Sequence, residues 1–416
     1  MIGLEMGGYS PVQAPSEFIN MSDVSAPDLS LPQQIVPDAI SSDIQTVKPA
    51  SESSIIPFPL EIPFERTSIE FDQRFRHMKD PSFTILPDGR SLLLVSVNET
   101  DTQSGWKQFA YIADDLKAPV WNKLGEVSFK GIDPKFVDGN GEEVERTLCA
   151  AGAFPNGQGL VVQDLCFHDG GNIHVFKGSD PTNLEYAGVA LQSDASKGIA
   201  GVYDPEPVTG LGPKGGVINQ ETGEEEFIIS VTTVGSYRIV HDGETGRRLW
   251  FPQDGAIRLA KRKGDWVGPY EYADNPILTE YQVPGHRPTK YDGEWVLEGG
   301  KISELPEDAE EFHLIYQSRN EDGTFKIDLA TIKMDDLKKL MEKKSAGKRF
   351  IHYFTAFIDG PEGSRQRGYL ASSDTLDEVP TVLGTIEPVR AEGGFRETGH
   401  GTALVKRKST NLAAAA

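Results

Sequence analysis

Cysteine is nearly absent from this chain: Cys149 and Cys166 are the only two in 416 residues. A disulfide scaffold is therefore excluded, and the sequence contains no C-x-x-C, H-E-x-x-H or G-x-S-x-G stretch to suggest a zinc finger, a zincin or an α/β-hydrolase. Whether the two thiols pair or stay buried is left open. Basic residues are scarce, 41 against 63 acidic ones, for a net charge of −22. Phosphate-rich partners need a basic surface, so a nucleic-acid or anionic-membrane binder is disfavoured and a neutral or cationic ligand suits the chain better. No apolar run approaches the roughly 20 residues that cross a bilayer. The opening Met1-Ile2-Gly3-Leu4-Glu5-Met6 lacks a basic region and an apolar run. No secretory leader is read there, which fits a cytoplasmic protein or a mature secreted form.

Long helical periodicity is also missing. Residues 1–55 carry Pro11, Pro15, Pro27, Pro32, Pro37 and Pro49 among Ser, Asp and Gln. They read as an extended or disordered tail, and their scattered Phe18, Ile19, Leu29 and Ile35 suit docking on the body or on a second copy of the chain. Residues 56–410 read as one body, and 411–416 as a frayed end. In that body, short apolar runs such as Ser91–Val97, Phe227–Thr233, Phe312–Ser318 and Phe350–Ile358 alternate with turn signals such as Asp88-Gly89 and Asp322-Gly323. One helix is expected over Asp335 to Lys344, with Leu337, Leu340 and Met341 on one face and Gly347 as its stop. Many short strands and almost no helix mean a sandwich, a barrel or a propeller. At this length, without a second linker, a propeller accounts for the chain as one all-β unit.

Two ligand motifs fail on context. Gly210-Leu211-Gly212-Pro213-Lys214-Gly215 fits G-x-G-x-x-G, but no strand is read before it and no helix after it. Asp138-Gly139-Asn140-Gly141-Glu142 starts like a calcium loop, but Glu143 occupies the place of the sharp-turn glycine. Three acids stand out instead, each followed by Pro or Gly and set just before an expected strand: Asp80-Pro81, Asp204-Pro205 and Glu298-Gly299. Alone, each reads as a turn-capping residue. A propeller gathers corresponding strand starts at one end of its axis, so acids distant in sequence can face one ligand there. His400, in Gly399-His400-Gly401, precedes the last expected strand in the same way.

Asp80-Pro81, Asp204-Pro205, Glu298-Gly299-Gly300 and Gly399-His400, in that order, resemble the five-bladed β-propeller glycosidases, most nearly glycoside hydrolase family 43 and its relatives. The resemblance spans about residues 70–406 and implies a five-bladed propeller with an extended N-terminal tail. It implies inverting hydrolysis of an oligo- or polysaccharide, with Asp80 as base, Glu298 as acid, Asp204 as the charge beside the acid and His400 near an axial calcium or water. No other cofactor is implied. Gly300 departs from the family's Pro, and the long interval from Asp204 to Glu298 implies an insertion near Arg238–Arg262. Asp133-Pro134 rivals Asp204. Family 117 enzymes place a His acid ahead of the fourth blade, which makes His286 in Gly285-His286 a rival to Glu298. Trp106, Trp121, Trp250, Trp266 and above all Trp295 are candidates for stacking on a sugar, and His286 and Arg287 for contacting one. Other readings stay open: a non-catalytic glycan- or protein-binding propeller, a family 32-like fructosidase, or a family 130-like phosphorylase.

Overall fold

The computed structural model describes residues 61–407, apart from 101–105, 138–142, 156–159, 167–171, 242–247, 284–296, 387–397 and a few gaps of one or two residues. The N-terminal tail lies outside the described residues, as do Trp295, His286 and Arg287. Five sheets, antiparallel except for one parallel edge pairing in the second, surround one axis. Their innermost strands are His77–Ile85, Leu148–Pro155, Gly201–Pro207, Leu297–Glu304 and Thr398–Arg407. Each touches the next around the ring, and the fifth touches the first, which closes a five-bladed propeller.

Blade packing explains the runs of apolar sequence. A strand covered by neighbouring blades on both faces needs apolar residues at successive positions rather than at alternate ones. All eight residues of Ser91–Asn98 are buried. Leu92 and Leu94 face the second blade, and Leu93 and Val95 face the fifth. Five apolar clusters fill the five gaps between blades. The helix Met334–Lys343 covers the gap between the fourth and fifth, burying Met334, Leu337 and Met341. It stops at Ser345, which takes a left-handed φ of 50°. Gly347 instead lies hard against the backbone of Ser373 and Asp374. Among the described residues no helix is long and apolar enough to cross a membrane.

Chain order and blade order part company at the end. After Leu297–Glu304 the chain leaves the fourth blade and forms Ala309–Arg319 and Phe325–Lys333, which belong to the fifth. It then returns through the helix to complete the fourth blade with Phe350–Gly360, Gly363–Ser373 and Thr381–Thr385. Thr398–Arg407 enters last as the inner strand of the fifth blade. The N-terminal Glu65–Ser68 pairs at that blade's outer edge. The Phe312 run therefore does not share a sheet with Glu298, contrary to the order in which they are read. A hairpin, Ser236–His241 with Arg248–Gln253, accounts for the first part of the insertion expected near Arg238–Arg262, but Ala256–Lys263 is a regular strand of the third blade.

Two smaller readings are corrected or resolved. A strand, Gly201–Pro207, does precede Gly210, but the strand Val217–Ile218 follows, so the dinucleotide context is still missing. Cys149 lies opposite Leu165 and Cys166 opposite Leu148, so the cysteines are not cross-strand partners.

Candidate functional site

The acids do not precede their strands; they sit inside them. In all five blades the ladder beside the inner strand is irregular at the same level. The residues there are Asp80-Pro81, Ala150-Ala151, Asp204-Pro205, Gly299 after Glu298, and Gly399-His400. Asp80 and Asp204 both have φ 50°, Ala150 has φ 58° and Gly299 φ 57°. Proline has no N–H for a ladder, and a bulge asks none of it. An Asp-Pro that reads as a turn thus becomes a kink that swings a carboxylate out of the sheet and toward the axis. Left-handed non-glycine residues cost about 1–3 kcal/mol each and gather at functional sites.

Three of the five kinks carry an ionisable side chain and a fourth directly follows Glu298, and these four groups meet on one ring. His400 Nδ1 lies 3.5 Å from Asp80 Oδ1 and 3.6 Å from Asp204 Oδ1, while Nε2 lies 3.1 Å from Glu298 Oε2. Asp80 and Asp204 are buried, and Glu298 and His400 keep 17% and 18% of their side-chain surface, enough for a ligand to reach them. Burial alone would pull the His400 imidazole down. The Asp204 and Asp80 carboxylates and the hydrogen bond to Glu298 outweigh it and push the group up to about 10. His400 is therefore an imidazolium at neutral pH. Burial pushes Asp204 up to about 6; Glu298 and Asp80 add to this, while His400 and Lys79 oppose it.

A second set of side chains holds these groups. The Lys79 ammonium lies 3.3 Å from Asp80 Oδ2 and 4.4 Å from the centre of the Trp106 ring. Thr232 donates to Asp204 Oδ2 at 3.2 Å and accepts from the Gly299 N–H at 2.9 Å, linking the third blade's acid to the fourth blade's kink. Gln366 donates to Glu298 Oε2 at 2.6 Å and to Thr355 Oγ1 at 2.9 Å. Below this level, Lys301 Nζ lies 3.4 Å from Glu206 Oε2 and donates to the Pro207 carbonyl at 2.8 Å. Burial pushes Glu206 up to about 7 against the pull of Lys301.

Asp133 is not part of this cluster. It is exposed and its carboxylate accepts from the Lys135 N–H at 2.9 Å, a turn cap. Trp121 and Trp266 are buried between blades and present no face to a sugar. Trp106 is half-buried beside Lys79. The Trp250 side chain lies outside the described residues. The resemblance sets His400 near an axial calcium or water. Both ring nitrogens are turned to carboxylate oxygens, and among the described residues no group of three or more His, Cys, Asp or Glu is arranged to hold a metal ion. Calcium takes six to eight oxygen ligands. The sequence reading missed Lys79, Thr232, Thr355 and Gln366. Lys79 adjoins Asp80 and was open to notice; Gln366 is 68 residues from Glu298, with no local pattern to mark it.

No family model and no curated protein matches the sequence. Several solved structures are similar to it. A family 117 glycoside hydrolase from Zobellia galactanivorans is 13% identical, over 80% of this chain and 78% of its own, with a TM-score of 0.43. An endo-arabinase from Bacteroides thetaiotaomicron is 10% identical, over 82% of this chain and 98% of its own, with a TM-score of 0.39. A Penicillium chrysogenum α-L-arabinanase, solved with arabinobiose, is 12% identical over 82% and 74%, with a TM-score of 0.37. The chain is a five-bladed β-propeller, and glycoside hydrolases are among the solved structures it resembles.

Proposed function

We propose that the protein is a glycoside hydrolase that cleaves a bond of an oligo- or polysaccharide with inversion at the anomeric carbon. One observation carries this reading. Three acids from the first, third and fourth blades converge on one imidazolium at one end of the axis, two of them on strained kinks. A structural salt bridge does not need three carboxylates on three blades around a single cation, whereas glycosidic cleavage needs carboxyl groups in opposite protonation states.

In this reading a water molecule attacks the anomeric carbon and gives its proton to Asp80. The bond from that carbon to the leaving oxygen breaks, its electrons stay on the oxygen, and Glu298 supplies the proton that neutralises it. Lys79 and His400 flank Asp80, 3.3 Å from its Oδ2 and 3.5 Å from its Oδ1. Asp204 places a carboxyl group beside the acid. Inversion requires room for the water between base and acid, roughly 6.5–9.5 Å between carboxyl groups.

The test is a panel of 4-nitrophenyl furanosides and pyranosides together with plant and algal polysaccharides. Proton NMR on the first minutes of hydrolysis identifies the anomer released. The inverted anomer, with activity abolished by Asp80→Asn, supports the reading. The retained anomer would remove inversion, and no hydrolysis of any member would remove the enzyme reading in favour of a binding propeller.

A further inference from the structure

We propose that Gln366 is the positioning residue of the candidate acid and selects which oxygen of Glu298 carries the transferable proton; this rests on the reading of Glu298 as general acid. Gln366 lies on Gly363–Ser373, the third strand of the fourth blade, two strands out from the axis. Side chains that far out normally pack between blades. Here Glu298 stands opposite Thr355 on the second strand, and Gln366 is paired with Phe357, two residues beyond Thr355. That diagonal is within reach of a long side chain, and the small Thr355 lets the amide pass to the axis. Gln366 is 3% exposed, so ordering it there desolvates a polar group and requires partners.

The partners form a closed ring of hydrogen bonds. One amide hydrogen goes to Glu298 Oε2 and the other to Thr355 Oγ1. The Thr355 hydroxyl spends its own hydrogen on the Glu298 carbonyl at 3.1 Å. Every donor in the ring is thereby used, and the amide cannot turn over without setting its oxygen against the Glu298 carboxyl. The ring fixes both the backbone and the side chain of Glu298.

The consequence concerns the two oxygens of that carboxyl. Gln366 and His400 both approach Oε2 with a nitrogen. An oxygen that accepts two N–H bonds serves as the carbonyl of a protonated carboxylic acid, so the acidic hydrogen belongs on Oε1. In the transfer step the Oε1–H bond breaks, the proton passes to the departing glycosidic oxygen, and Glu298 is left as a carboxylate. Its reprotonation is matched by release of the proton that Asp80 took from water. Unlike His400, the Gln366 amide does not titrate, so its hold on Oε2 persists at every working pH.

The test compares Gln366→Met, which keeps the length and loses the donor, with Gln366→Glu and Glu298→Gln. Each is assayed on the 4-nitrophenyl glycoside that the wild type hydrolyses and on the corresponding disaccharide, whose leaving group needs protonation. Gln366→Met is expected to lower kcat on the disaccharide by about tenfold or more, a fraction of the 10²–10⁴ typical of losing acid catalysis. KM and the 4-nitrophenyl rate should change little. Gln366→Glu should regain activity relative to wild type as pH falls, because a protonated carboxyl donates again and an ionised one repels Glu298. Equal losses on both substrates, or a Gln366→Glu profile parallel to wild type, would overturn the proposal. If Glu298→Gln shows the leaving-group dependence and Gln366→Met does not, Gln366 alone is misassigned. If Glu298→Gln shows none, the acid reading falls and this inference with it.

Discussion

At the scale of single residues, the cluster makes distinct demands on its members. In the proposed mechanism Glu298→Gln keeps the shape and removes the proton source, so the loss should be about 10²–10⁴-fold for a poor leaving group and small for an activated aryl glycoside. In the same mechanism Asp80→Asn removes the proposed acceptor for the water proton and should damage both substrates alike. Paired rate measurements on the two glycosides separate these patterns, and a folding defect would imitate neither. The sequence made the four members visible because each carries its own local mark, an acid before Pro or Gly or a His between glycines. It misplaced them by a few residues, since Asp-Pro signals a turn far more often than a bulge within a strand. The groups that hold them are legible only in three dimensions: Thr232 and Thr355 are unremarkable hydroxyls on second strands, and Gln366 meets Glu298 across an intervening strand.

At the scale of elements, the inner strands are the sensitive parts. Gly152 on the second blade's inner strand abuts the Pro205 carbonyl, one residue from Asp204, with no room for a methyl group. Gly152→Ala must push the Asp204 kink aside. A cost of about 1–3 kcal/mol is expected, seen as a lower melting temperature together with a larger proportional loss of kcat. In the fourth blade, His352 is buried with its Nε2 2.7 Å from Ser373 Oγ. Burial pulls this imidazole down to about 3 from the ordinary 6.5. The stability it contributes is present above pH 6.5 and is lost as pH falls toward about 3, because the unfolded chain takes up a proton that the folded chain refuses. Thermal melts from pH 7 to 4 should therefore fall more steeply for wild type than for His352→Gln; parallel curves would show that the unfolded state gains nothing at this site. Strand existence was readable from apolar runs, because strands covered on both faces leave an uninterrupted signal. Partnership was not, since a run such as Phe312–Ser318 carries no label of the blade it will join.

At the scale of the whole molecule, charged side chains from four of the five blades meet at the axis. The imidazolium of His400 occupies the middle of the carboxylates, where a cation would otherwise be drawn. Treatment with a chelator should leave the melting temperature and activity unchanged; a fall of several degrees, reversed by calcium, would show a resident ion. The exchange of strands between the last two blades has a consequence for the order in which the molecule is made. The fourth blade's inner strand must wait for Phe350–Gly360 to be synthesised, and the fifth blade's outer strands must wait for Thr398–Arg407. The fourth sheet can be completed only with Thr381–Thr385 and the fifth only with Thr398–Arg407, so long-range contacts close late, which slows folding. His400 arrives on the last of the described strands. Until that strand docks, the three acids lack the positive charge that balances them, and the cluster is completed in the same step that shuts the ring.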